Sequence, residues 1–348
     1  MSAEVTRLFH DFDRGIMSRR QLLTTLGIAV VIQPAPAFAQ GQCGGARTGT
    51  PQCDTRPAEL PFEPTGWKTV LLDHLSCQVV DYRKEAAFYA ALMNWKISSD
   101  DGKQAVLDIG DWGSLVLRGG YQAPPPATNR DGVPRPRLAA FDGFCWGISP
   151  WDATKVEAEL RKRGLTPIAD NDKDFQSFHI KDPDGFNLQI SNGRRKGSSA
   201  GSASTKASAP MPFEYTSWST VWLDHISFTA SNYKKTTAFY AALLGWKPGT
   251  DEGSQNQCEI GDIGGIIIRR GAGSQGAGPI GHISFGISPF DPDQVKAELD
   301  KRGLTAREDT GGTGDIHTTF YKSYHTTTPN GFDLQISATT KATRNPFP

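Results

Sequence analysis

The chain has 348 residues, enough for two or three domains that each bury a core of their own. Its 37 Lys and Arg balance 37 Asp and Glu, which speaks against nucleic acid or an acidic membrane as partner and for a small-molecule ligand. The 37 Gly and 23 Pro suit a turn-rich, strand-containing protein and disfavour a helical bundle.

Near the start, Ser18-Arg19-Arg20-Gln21-Leu22-Leu23 places two arginines before an apolar run that ends at Ile32 and is too short to span a bilayer. Ala37-Phe38-Ala39 follows. The order resembles a twin-arginine export signal, so residues 1–39 are expected to be cleaved off, with export of the folded protein to the periplasm or beyond and no stable membrane anchor left. Residues 40–66 are rich in Gly, Pro and Thr and have no period, as in an extended arm. Cys43 and Cys53 flank a Gly-rich loop there and could close a disulfide in an oxidising compartment. Cys77 and Cys145 fall on opposite faces of their strands, and Cys258 is expected to be a free buried thiol.

The chain then repeats itself. Residues 72–96, LDHLSCQVVDYRKEAAFYAALMNWK, return as LDHISFTASNYKKTTAFYAALLGWK at 223–247, identical at 14 of 25 ungapped positions. In each copy an alternating strand gives way to a helix, with Ala238, Phe239, Ala242, Leu243 and Trp246 at three- and four-residue spacing in the second. The first repeat spans 67–193. Strands are expected near 105–109 and 114–118, followed by a Pro-rich insertion at 121–137 that cannot join a sheet. A second strand at 144–149 leads to a helix at 153–163, stopped by Gly164. Strands near 175–180 and 186–191 close the unit around the turn Asp182-Pro183-Asp184-Gly185.

A Ser/Ala/Gly-rich linker at 194–212 leads to the second repeat, 213–340, and a tail at 341–348. Ile287-Ser288-Pro289 matches Ile148-Ser149-Pro150, and Gly331-Phe332-Asp333-Leu334-Gln335-Ile336-Ser337 matches the stretch 185–191.

Four units of strand, helix and three strands, with the LDH strand, the FYAALLGWK helix and the Gly-Phe-x-Leu-Gln ending, resemble the vicinal oxygen chelate superfamily of glyoxalase I, bleomycin-resistance proteins and extradiol dioxygenases. The resemblance implies an α+β fold with four βαβββ units paired into two cup-shaped domains.

It also implies where a metal would sit: on the first strand of each half and on the last strand of a cup. In the second repeat these positions hold His225, His282 and Gln335. Strand alternation agrees, because Ile283, Phe285 and Ile287 turn to the helices and His282 and Ser284 to the other face. The extradiol enzymes and most metal-binding relatives have Glu at the third position, whereas this chain has Gln in both repeats; Gln335 either coordinates through its carbonyl or only hydrogen-bonds within the cup. In the first repeat His74 and Gln189 recur, but Gly143 stands opposite His282, so that domain is expected to be metal-free.

His317, Tyr321 and His325 lie upstream of Gln335 at distances where extradiol enzymes place proton-transferring groups. His179 is the counterpart of His325 and favours a structural role for it; His317 has no counterpart. Glu259 is read as a turn or surface residue. The expected cofactor is a divalent metal, Fe(II) first, with Mn, Zn and Ni as other candidates.

Three activities follow from the resemblance. One is metal-dependent action on a small substrate with adjacent oxygens, with extradiol ring cleavage its most specific form; the others are metal-free sequestration of a small molecule and a glyoxalase-type lyase or isomerase.

Overall fold

The computed structural model describes residues 57–343 except 124–126, 129–133, 136–137, 171–174, 194–208, 272–279 and 313. The export signal, the Cys43 and Cys53 pair and most of the linker lie outside the described residues. Among the described residues no helix is long and apolar enough to cross a membrane.

The first repeat runs through β1 (Lys68–Val79), α1 (Tyr82–Met93), β2 (Lys96–Asp100), β3 (Gln104–Asp108) and β4 (Ser114–Arg118). Two short strands, β5 (Ala127–Thr128) and β6 (Pro134–Arg135), pair only with each other in the Pro-rich insertion. Then come β7 (Ala139–Ser149), α2 (Ala153–Lys162), β8 (Ile168–Ala169), β9 (Ser177–Lys181) and β10 (Asn187–Ser191). The eight main strands form one sheet in the order β2-β3-β4-β1-β7-β10-β9-β8.

The second repeat does the same with β11 (Ser219–Ala230), α3 (Tyr233–Leu244), β12 (Lys247–Asp251), β13 (Gln255–Ile260), β14 (Gly264–Arg270), β15 (Ile280–Ser288), α4 (Pro292–Lys301), β16 (Arg307–Asp309), β17 (Ser323–Thr327) and β18 (Asp333–Ser337). Its sheet order is β12-β13-β14-β11-β15-β18-β17-β16.

Local chemistry sets the helix ends. Asp81, Asp152, Asn232 and Asp291 each accept a hydrogen bond from the backbone N–H three residues on, so all four α-helices among the described residues have side-chain N-caps. After α1 and α3 the chain turns in the left-handed region, at Asn94 (φ 57°) and Gly245 (φ 69°), the two residue types that enter it most readily.

The two sheets share one apolar core, and the repeats lock together reciprocally. The indole N–H of Trp95, just after α1, donates to Thr220 Oγ1 at 2.8 Å, and that of Trp246, just after α3, donates to Thr69 Oγ1 at 3.0 Å. Each indole also stacks on a tyrosine of its own helix, Trp95 on Tyr89 and Trp246 on Tyr240. On its other side each meets the opposite sheet, Trp95 at Phe285 and Trp246 at Trp146. Thr65 and Thr216 donate to Leu243 and Leu92 carbonyls across the same junction, both at 2.7 Å.

Buried hydrogen bonds at this junction differ between the copies. Tyr240 Oη donates to Asp182 Oδ2 at 3.0 Å, whereas Asn330 donates its backbone N–H and its side-chain amide to Glu85 Oε2 at 3.0 and 2.8 Å. Burial pushes the Asp182 carboxyl up to about 6. A carboxyl whose pKa is raised on folding stabilises most when protonated, and the contribution falls as pH rises from about 4 through about 6. Wild type should therefore lose roughly 2–3 kcal/mol relative to Asp182→Asn between about pH 4 and pH 7 in denaturant titrations. A pH-independent difference between the two would contradict this.

Candidate functional site

The second cup is shaped by an irregularity in β11. Leu223 faces Phe285 and His225 faces Ser284, so two residues of β11 oppose one of β15 and Asp224 is the extra residue of a β-bulge. Plain alternation would send Asp224 to the helix side. The bulge instead turns it into the cup beside His225, where Asp224 Oδ2 lies 3.4 Å from His225 Nδ1 and accepts from Ser284 Oγ and Tyr321 Oη, both at 2.8 Å. The same bulge occurs in β1, where Asp73 Oδ1 lies 2.6 Å from His74 Nδ1.

Across the sheet, His282 on β15 brings its Nε2 to 3.0 Å from His225 Nε2. His325 on β17 stands next, its ring centroid 5.1 Å from that of His282. Asp333 Oδ1 lies 2.9 Å from His325 Nδ1 and Asp309 Oδ2 lies 3.3 Å from its Nε2, so carboxylates hold both ring nitrogens.

Burial, and then the neighbouring rings of His225 and His325, push His282 down to about 3, so its imidazole is neutral. For His325 burial works the same way, but Asp309 and Asp333 prevail and hold it above its usual value. The hydrogen bond from His325 draws Asp309 down to about 2. Asp224 is buried, which would raise it, yet His225, Ser284 and Tyr321 together keep it below the usual carboxylate range. Tyr321 is pushed well above the usual phenol range, first by burial and then by Asp224, so it stays a donor.

Five of the six expected site residues therefore meet in one cluster: His225, His282, Tyr321, His325 and Gln335. His317 stands apart, exposed, with Nε2 3.8 Å from Asp293 at the start of α4. Gln335 hydrogen-bonds within the cup. Its Nε2 donates to Ser323 Oγ (2.8 Å), Tyr321 Oη (3.0 Å) and Asp309 Oδ2 (3.2 Å), while its buried Oε1 has no hydrogen-bond partner. Three acceptors around the nitrogen account for an amide where a carboxylate would be repelled.

A further trio, His282, His325 and Asp333, has donor atoms within 4.8 Å of one another, but both nitrogens of His325 are already engaged. Glu259 lies on strand β13, facing Lys247 and Gly265, and not in a turn; the carboxylates around the rings are Asp224, Asp309 and Asp333. Asp224 escaped sequence reasoning because alternation hides it. Asp333 was legible in principle, being the one change between GFNLQIS and GFDLQIS.

The first cup repeats the frame without the trio of rings. Gln189 Nε2 donates to Ser177 Oγ at 2.8 Å, as Gln335 does to Ser323. His179 contacts Asn187 in place of an aspartate. Where His282 would stand is Gly143, and a Cβ there would come within 2.9 Å of the Asn187 amide nitrogen. The result is a polar cleft of about 120 Å³ lined by His74, Arg118, His179 and Gln189 among others.

No protein-family model matches the chain, and no curated protein matches its sequence. Solved structures do share its fold. The Mn(II)-bound glyoxalase from Novosphingobium aromaticivorans is 16% identical with a TM-score of 0.55, covering 78% of this chain and 82% of that one. The 2,3-dioxygenase LapB from Pseudomonas sp. KL28 is 14% identical, TM-score 0.55, covering 78% and 92%. Homoprotocatechuate 2,3-dioxygenase from Brevibacterium fuscum, in complex with 3,4-dihydroxyphenylacetate, is 16% identical, TM-score 0.55, covering 82% and 84%. The α+β architecture with two eight-stranded sheets is thus the vicinal oxygen chelate fold.

The polar frame around Gln335 makes a direct prediction. Gln335→Glu sets a second carboxylate against Asp309 and should cost about 1–3 kcal/mol in metal-free protein at neutral pH. The loss should shrink when the same substitution is made in an Asp309→Asn background. Unchanged stability in denaturant titrations of the single variant would contradict the arrangement.

Proposed function

We propose that the second cup holds a divalent metal through His225, His282 and the Gln335 carbonyl, and acts on a small molecule with two adjacent oxygens. The carrying observation is the approach of two imidazole nitrogens, His225 Nε2 and His282 Nε2, to 3.0 Å in a buried cup. Nitrogens that each bind one ion at about 2.1 Å can be no more than about 4.2 Å apart, so the pair fits. The unpartnered Gln335 Oε1 supplies an oxygen donor, and two imidazoles with one oxygen suit Fe(II), with Mn, Zn or Ni as alternatives.

Each residue has a definable task. Asp224 Oδ2, 3.4 Å from His225 Nδ1, favours the ring orientation that leaves Nε2 as the donor nitrogen. Low basicity keeps His282 in the neutral, ligating form. His325, flanked by Asp309 and Asp333, can keep a positive charge next to the cup, and Tyr321 Oη ties Asp224 to Gln335. A bound metal would supply Lewis acidity and, if it is iron, the redox chemistry of oxygen activation. Extradiol ring cleavage is the most specific form of this reading, and residues 1–39 add export to the periplasm to the proposal.

One observation favours a second reading. The His225 and His282 nitrogens are also at hydrogen-bond distance and can satisfy each other without an ion, as a metal-free binding protein would require.

Metal content after incubation with Fe(II) or Mn(II) and dialysis separates the two. One ion per chain is expected, lost in His225→Ala and in His282→Ala and kept in His74→Ala; none in the wild type would leave the binding-protein reading.

A further inference from the structure

The two cups differ at one more place, and the first cup shows what the difference means. Arg118 on β4 and Ser76 on β1 both donate to Asp142, Ser76 Oγ at 2.7 Å to Oδ1 and the guanidinium to Oδ2. One carboxylate therefore satisfies an arginine and a serine on neighbouring strands. In the second cup the arginine and the serine persist as Arg269 on β14 and Ser227 on β11, with Arg269 Nε donating to Ser227 Oγ at 3.0 Å. The aspartate does not persist. Its position, one residue before His282 as Asp142 is one before Gly143, is Gly281.

Arg269 is half-buried and, among the described residues, makes no ion pair. The neighbouring stretch 272–279 contains no acidic residue. Glu252 and Asp309 act on it only through space, and burial pulls its guanidinium below the usual value. A cation partly withdrawn from water without a counter-ion is costly unless a ligand supplies one. Among the described residues, a Cβ on Gly281 would meet only Ser227 Oγ, at 4.0 Å, which leaves room for a ligand group there. Ser227 in turn lies opposite His282 in the strand register, so the open place adjoins the histidine pair.

We propose that Arg269 and Ser227 bind an anionic group, a carboxylate by the template of Asp142, so that the substrate of the second cup is an acid carrying two adjacent oxygens. An arginine fork with a hydroxyl beside it is suited to a carboxylate, and the bond is charge-assisted. This rests on the reading of the second cup as the ligand site. It adds a specificity residue that the histidine cluster alone does not contain.

The test is calorimetric titration of Mn(II)-loaded protein with 3,4-dihydroxybenzoate and with its uncharged amide, 3,4-dihydroxybenzamide. The acid should bind at least about ten-fold tighter than the amide in the wild type. That preference should vanish in Arg269→Gln, and also in Gly281→Asp, which rebuilds the internal carboxylate of the first cup. Metal content is measured on every sample and should be the same in all three proteins. Equal affinity for acid and amide in the wild type, no binding of either, or a preference retained in both variants overturns the assignment. A preference that stands in EDTA-stripped protein upholds it while removing the metal from the account of the cup.

Discussion

The structure turns on one of the extra residues in the first strand of each repeat, the one before the histidine. A β-bulge at Asp224 makes two consecutive side chains, Asp224 and His225, face the same cup, which a regular strand forbids. Burying the Asp224 carboxylate has to be offset, and Ser284, Tyr321 and His225 do so. Tyr321 then receives the Gln335 amide, whose nitrogen also bonds Ser323 and Asp309, and Asp309 holds His325. The polar lining of the second cup is thus one connected network that begins at the bulge.

Duplication supplied two copies of this frame, and a few side chains gave them different electrostatics. In the first cup Asp142 neutralises Arg118, Asn187 replaces the carboxylate beside the histidine, and a glycine stands where the second imidazole would be. In the second, Gly281, His282 and Asp333 leave a cation without a contact counter-ion among the described residues, add a neutral ring, and favour charge on His325. The reciprocal Trp–Thr bonds tie the copies together, so either cup can change its lining without loss of the shared core.

The fold was largely legible in the sequence because a repeat can be read against itself. Alternation placed His225, His282 and Gln335 toward the cup, and the structure sets all three there. What alternation cannot show is a bulge, so Asp224 went unnoticed although it precedes the histidine in both copies. His317 and His325 were distinguished by which had a counterpart, and the packing reverses that preference. His325 sits on a strand between two aspartates, whereas His317 lies in an exposed turn. The role of Arg269 depends on a residue missing from position 281, and an absence of that kind is visible only once the strands are in register.

If the bulge and the adjoining strands build a metal site in the second cup and none in the first, crystals of the protein soaked in Mn(II) will show it by anomalous diffraction. One peak is expected, bonded to His225 Nε2, His282 Nε2 and Gln335 Oε1. A peak at His325 and Asp333, a peak in the first cup at Asp73, His74 and Cys145, whose ligand atoms also lie within 4.8 Å of one another, or no peak in the second cup would refute that site.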